Sequence, residues 1–143
     1  MTYISAEIRR KVTARAGNCC EYCRLSQEDN TFSFQVDHII AEKHGGATEL
    51  DNLSWSCPDC NGYKGSDIGS IDPETGKLTS LYNPRQQEWN EHFRLDGPII
   101  EPLTPEGRVT VRLLKLNRSE QVDERRGLIK FGRYPCEPST ESD

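Results

Sequence analysis

Apolar residues at Ile8, Val12 and Ala16 recur at helical spacing between Ser5, a capping residue type, and Gly17, a stop. The chain therefore opens on a short amphipathic helix over residues 4–16. After the turn Cys20-Glu21-Tyr22-Cys23, residues 32–36 alternate Phe, Ser, Phe, Gln, Val, the period of a strand that runs into Asp37 and His38. A loop carrying Gly45-Gly46 follows, then a second strand over 50–56 and a helix over 58–65 that begins on Pro58, a residue suited to a first helical turn. Past Gly69, the cluster Asp72-Pro73-Glu74-Thr75-Gly76 is turn chemistry, and 77–82 is a short strand. Residues 89–93 fit a helix or a strand equally, and 98–103 reads as a strand. Thr104-Pro105-Glu106 supplies a cap, a first-turn proline and an acidic first turn for a helix to about Leu116. Ser119-Glu120-Gln121 opens a last helix ending near Gly132. Residues 135–143 are polar and acidic and read as a disordered tail.

Short strands followed by short helices define an α+β fold, divided as an N-terminal helix (1–17), a strand, strand, helix core (18–69), an extension of short strands and helices (70–134) and the tail. A chain of 143 residues builds one modest core. It holds no apolar run of the roughly 20 residues that a membrane span needs, and residues 1–10 lack the apolar middle of a secretory signal. The expected compartment is the cytoplasm, where thiols stay reduced. A net charge of -5 argues against a protein that coats nucleic acid, although basic residues gather at Arg9, Arg10, Lys11 and Arg15, and again at Arg118, Arg125, Arg126, Lys130 and Arg133.

In a reduced compartment the cysteines read as metal ligands. Cys20-x-x-Cys23 and Cys57-x-x-Cys60 are two close thiol pairs, the arrangement in which two tight turns present four sulfurs to one tetrahedral Zn²⁺. With every ligand supplied by protein, this zinc is structural and stitches distant segments together. Cys19 and Cys136 remain as spare thiols.

Zinc at those positions brings the strand ending on Asp37-His38 beside the helix that carries Asn61 and Lys64. Phosphodiester hydrolysis needs a proton acceptor for water and a cation to neutralise charge on the phosphate. Imidazole, which titrates at about 6.5 in peptides, suits the first task, and His38 is the candidate, with Asn52 available to fix its ring. Asp37 and Asn61 offer the hard oxygens by which Mg²⁺ is commonly held. His44 and Lys64, with Lys43, are candidate phosphate contacts. His92, among aromatics, reads as a packed residue, and Arg125-Arg126 as a solvated helix face.

Taken together, Cys-x-x-Cys, Asp-His-Ile, Gly-Gly, Asn-Leu and Cys-x-x-Cys-Asn-x-x-Lys-Gly over about 18–65 resemble the HNH endonucleases. The resemblance implies a zinc-stapled ββα-metal (HNH) core, His38 as general base, Asn52 as the asparagine that positions it, and Asp37 and Asn61 as ligands of a catalytic metal. The family's final histidine is asparagine here, which favours Mg²⁺ or Mn²⁺ over softer ions. The expected activity is metal-dependent cleavage of DNA, with RNA the alternative substrate, by a monomer or homodimer nicking one strand per site. A zinc-stapled module that binds nucleic acid or protein without cutting is the rival from another class.

Overall fold

The structure, a computed structural model, describes residues 3–138. Helix α1 (Ala6–Ala16) starts on Ser5, whose hydroxyl accepts from Ile8 N, and ends on Gly17 in the left-handed region. Its buried residues Val12 and Ala16 pack the helix onto the following hairpin. That hairpin pairs β1 (Gln35–His38) with β2 (Leu53–Ser56) antiparallel, placing Asp37 opposite Ser54 and His38 opposite Leu53. Helix α2 (Pro58–Lys64) follows at once, so the strand, strand, helix unit read from the sequence is present.

Beyond it lie the hairpin β3 (Gly69–Ile71) and β4 (Leu78–Ser80), the one-turn α3 (Trp89–His92), the hairpin β5 (Phe93–Asp96) and β6 (Ile99–Pro102), then α4 (Pro105–Leu113) and α5 (Ser119–Lys130). Residues 89–93, which fitted either element, are divided between two: the helix ends where Phe93 opens β5. Strand β3 carries no alternation that sequence could show. Asp72 closes the β3–β4 turn by accepting from Thr75 N, and it also takes two hydrogen bonds from Arg108 of α4 at 2.8 and 2.9 Å. Those bonds hold the Asp72 carboxyl well below its usual range.

A continuous apolar cluster runs from α1 through Tyr22, Phe34, Leu53 and Trp55 to Tyr82, Trp89, Phe93, Ile100 and Val109. The extension is anchored on the first cysteine turn, because the Trp89 indole donates to Tyr22 O at 2.9 Å and Tyr134 Oη donates to Cys23 O at 2.7 Å. Among the described residues no helix is long and apolar enough to cross a membrane.

Two expectations are corrected near the chain's end. Cys19 and Cys136 are not spare thiols but form a disulfide, their Cα atoms 5.6 Å apart. Nor does 135–138 extend as a tail: Cys136 N donates to Arg24 O at 2.9 Å and Glu137 lies 3.6 Å from Arg24, while 139–143 fall outside the described residues. The reason is the same for both. The turn after α1 and the docked Tyr134 bring two sulfurs, distant in sequence, into bonding range, and an assumption about redox compartment carries no information on that proximity. The bridge closes a separation of 117 residues. In oxidising buffer, Cys136→Ser is expected to lose about 2–5 kcal/mol of stability in a denaturant titration. Equal midpoints for variant and parent would remove the bridge from the account.

Candidate active site and zinc centre

The zinc centre follows from two local turns. In each, the first sulfur accepts a backbone N–H from the second cysteine: Cys23 N to Cys20 Sγ at 3.5 Å and Cys60 N to Cys57 Sγ at 3.4 Å. Cys57 is also the N-cap of α2, with Pro58 in the first turn, so helix start and ligand turn are one structure. The four ligand atoms lie within 4.8 Å of one another, all buried, and Cys23 Sγ to Cys57 Sγ is 3.7 Å. A tetrahedral site with Zn–S near 2.3 Å requires sulfurs about 3.8 Å apart, so the donors fit this ion. Burial alone would raise the Cys20 thiol, but hydrogen bonds from Cys23, Cys57 and Cys60 outweigh it and leave Cys20 well below the ordinary thiol range.

An ion held by the four cysteines would join the turn before β1 to the start of α2, and β1 and α2 face each other across two rungs. Gln35 and Asp37 share a face of β1, since alternate strand residues point the same way. Asn61 and Lys64, three apart, share a face of α2. Asn61 Nδ2 donates to Gln35 Oε1 at 3.1 Å, and Lys64 Nζ lies 2.9 Å from Asp37 Oδ2. Burial pushes the Asp37 carboxyl up, and Lys64 pulls it back only in part.

Lys64 is therefore not a phosphate contact. It is 1% exposed, paired with Asp37 and donating to His38 O at 3.0 Å, because the ββα corner encloses the one place where its ammonium meets both partners. His38, next along β1, turns to the other side: its Nε2 is 2.8 Å from Thr48 Oγ1 in the loop between the strands. Among the described residues no hydrogen bond links the side chains of His38, Asp37 and Asn61 to one another.

Asn52 does not hold the imidazole either, and its work is one step removed. Its carboxamide accepts from Ile40 N and donates to Ile40 O and Ala47 O, each at 2.9 Å, closing the base of the 39–52 loop. Arg15 of α1 grips the same base through Leu50 O at 2.8 Å and Leu53 O at 2.6 Å. Gly46 is required there, because a Cβ would lie 1.7 Å from Ile40 O. His44 is exposed at the end of a single 3₁₀ turn in that loop, beside Lys43.

Sequence reasoning missed Thr48, Gln35 and Arg15. Each is an ordinary surface type whose role depends on which backbone it meets. Two left-over cysteines after both pairs are assigned were the one available signal for the disulfide. His92 packs as expected, 5.7 Å from the Tyr82 ring, with Nδ1 2.6 Å from Thr104 Oγ1. Most of the second basic cluster is consumed internally. Arg118 pairs with Asp59, Arg133 with Asp29 and Arg126 with Asp123. Arg125 is not solvated but fully buried, donating to Pro98 O and Asn117 Oδ1. Among the described residues, Arg9, Arg10, Arg15, Arg125 and Lys130 of the two basic groups form no ion pair, but Arg15 and Arg125 spend their guanidinium groups on carbonyl and carboxamide oxygens, which leaves the exposed Arg9, Arg10 and Lys130.

The fold and the site thus define a class: a strand, strand, helix unit stapled by a tetrathiolate centre, with an Asp-His pair at the end of its first strand. Residues 20–67 match the family model described as HNH endonuclease, and the four cysteines placed to hold a metal fall within that segment. No curated protein and no solved structure matches the chain.

Proposed function

We propose that this protein is a metal-dependent endonuclease that hydrolyses phosphodiester bonds in DNA, nicking one strand at each site. The observation that supports the reading is the HNH match falling on a hairpin and helix that carry His38 and Asp37 on β1 and Asn61 on α2. For His38 to act as base, Nε2 keeps its hydrogen and donates it to Thr48 Oγ1, leaving the Nδ1 lone pair for water. Water then attacks phosphorus as its proton passes to Nδ1, and the P–O bond to the leaving sugar oxygen breaks. Asn52 positions the base through the loop, by holding Ile40 and Ala47.

Asp37 and Asn61 would hold a divalent cation. The donors fit one: Asp37 keeps Oδ1 beyond its Lys64 contact, and the Asn61 amide bond to Gln35 leaves the Asn61 Oδ1 unspent. Two hard oxygens completed by water and phosphate suit Mg²⁺ or Mn²⁺, which supplies charge neutralisation for the phosphate and the leaving oxygen. His44 and the exposed Arg9 and Arg10 of α1 are the proposed phosphate contacts, and a single copy or a homodimer serves nicking equally.

The test is supercoiled plasmid incubated with the zinc-loaded protein and Mg²⁺ or Mn²⁺, with and without chelator. Conversion to the nicked circle is expected, with Asp37→Ala reducing it by about 10–100-fold or more, as loss of a metal-ligand environment does. Plasmid unchanged under every metal would leave a zinc-stapled binding module instead, and cleavage confined to structured RNA would change the substrate.

A further inference from the structure

The contact that removed Lys64 from the phosphate contacts gives it another role. A lysine 1% exposed is held inside only by its partners, and this one has two, both at the end of β1: Asp37 Oδ2 at 2.9 Å and His38 O at 3.0 Å. Asp37 Oδ2 is enclosed and meets nothing else. We propose that Lys64 is a specificity-determining residue of the metal site: by occupying one oxygen of Asp37 it confines a divalent cation to the other, and so selects Mg²⁺ or Mn²⁺ against Ca²⁺. The inference rests on Asp37 being a ligand of that cation, as proposed above.

Space and charge decide how a cation can meet Asp37. A cation chelated by both oxygens of a carboxylate sits between them, which here brings it toward an ammonium already in contact with Oδ2. Two cations that close repel, and the burial of Lys64 and of Asp37 Oδ2 weakens the screening between them. Binding through Oδ1 alone keeps them apart. Asn61 adds one more single oxygen, since a carboxamide carries only one, and its Nδ2 donates to Gln35. Single-oxygen ligands with water completing an octahedron are what Mg²⁺ demands, and Mn²⁺ accepts them. Ca²⁺ takes a larger shell of about six to eight oxygens and commonly uses both atoms of a carboxylate. The ammonium also offsets the Asp37 charge, so the site discriminates by geometry rather than by holding any cation tightly.

The experiment uses the full zinc-loaded chain and the metals alone, with Mn²⁺ and Ca²⁺ affinities measured by calorimetry and by the Mn²⁺ paramagnetic resonance signal. For Lys64→Met, which keeps the length of the side chain and removes its charge, the preference for Mn²⁺ over Ca²⁺ is expected to fall about tenfold, within the range for groups behind a metal ligand. A general loosening of the site would weaken both ions together and leave their ratio alone. A ratio unchanged in a variant that keeps its zinc and its melting transition overturns the proposal. Should Lys64→Met lose its fold, the parent protein decides: the infrared difference spectrum on Mn²⁺ binding must show the wide carboxylate splitting of one-oxygen coordination, and the narrow splitting of chelation overturns it. Asp37→Ala separates the two readings. Mn²⁺ binding that this change abolishes, with an unchanged ratio in Lys64→Met, sinks only the role of Lys64. Binding indifferent to Asp37, or absent in the parent, sinks the catalytic metal as well.

Discussion

Stripping the zinc is expected to unfold the first half of the molecule rather than merely loosen it. The four sulfurs join segments with little stability of their own: β1 and β2 have four residues each and α2 seven. An isolated two-stranded hairpin is marginal in water, and isolated helices shorter than about 12–15 residues do not persist. Structural zinc contributes apparent binding energies of about 10–16 kcal/mol, as large as the net stability of a typical domain, about 5–15 kcal/mol. Titration with a strong chelator should therefore abolish the cooperative thermal transition. Tryptophan signals should change with it, since Trp55 lies in β2 and Trp89 is bonded to the carbonyl of Tyr22 between the first two ligands. Cys60→Ala should reproduce the chelated state. A chelated protein melting at the original temperature would show that packing alone holds the corner, and the structural role of the metal would be lost.

His38→Ala is expected to separate chemistry from folding. A general base contributes about 10²–10⁴-fold to rate, and the nicking rate should fall by that factor under single-turnover conditions. Folding should survive, because the imidazole is only half-buried and its one hydrogen bond, to Thr48, lies on the loop rather than in the core. Zinc content and melting temperature are the controls. A variant that nicks as fast as its parent would take the base away from His38, whatever the fate of the metal site.

Much of this is legible in the amino-acid sequence, for identifiable reasons. Ser5 and Gly17 bracket α1 because capping is a local transaction between a side chain and the first or last turn of its own helix. The two Cys-x-x-Cys turns are equally local: each folds around its own backbone hydrogen bond to sulfur, and the ion joins them by chemistry that spacing alone announces. The α+β character and the strand, strand, helix order came through in the same way.

The partners of the candidate site were not legible. Asn52 was expected on the imidazole and instead closes a loop through Ile40 and Ala47. Lys64 was expected on phosphate and is enclosed against Asp37. Arg125 was expected in solvent and is fully buried. In each case the residue type states what bonds a side chain can make, while the choice among partners depends on which strand face meets which helix face.

The amino-acid sequence by itself determined the tetrathiolate centre, the order of elements around it, and the presence of an Asp-His pair at a strand end within an HNH segment. Only the tertiary structure decided that Thr48 rather than Asn52 meets the His38 ring, that Lys64 neutralises Asp37, and that Cys19 and Cys136 are joined. The physical division is between interactions closed within a few residues, whose geometry the backbone repeats, and interactions across long separations. The latter exist only once packing has brought their two ends within reach.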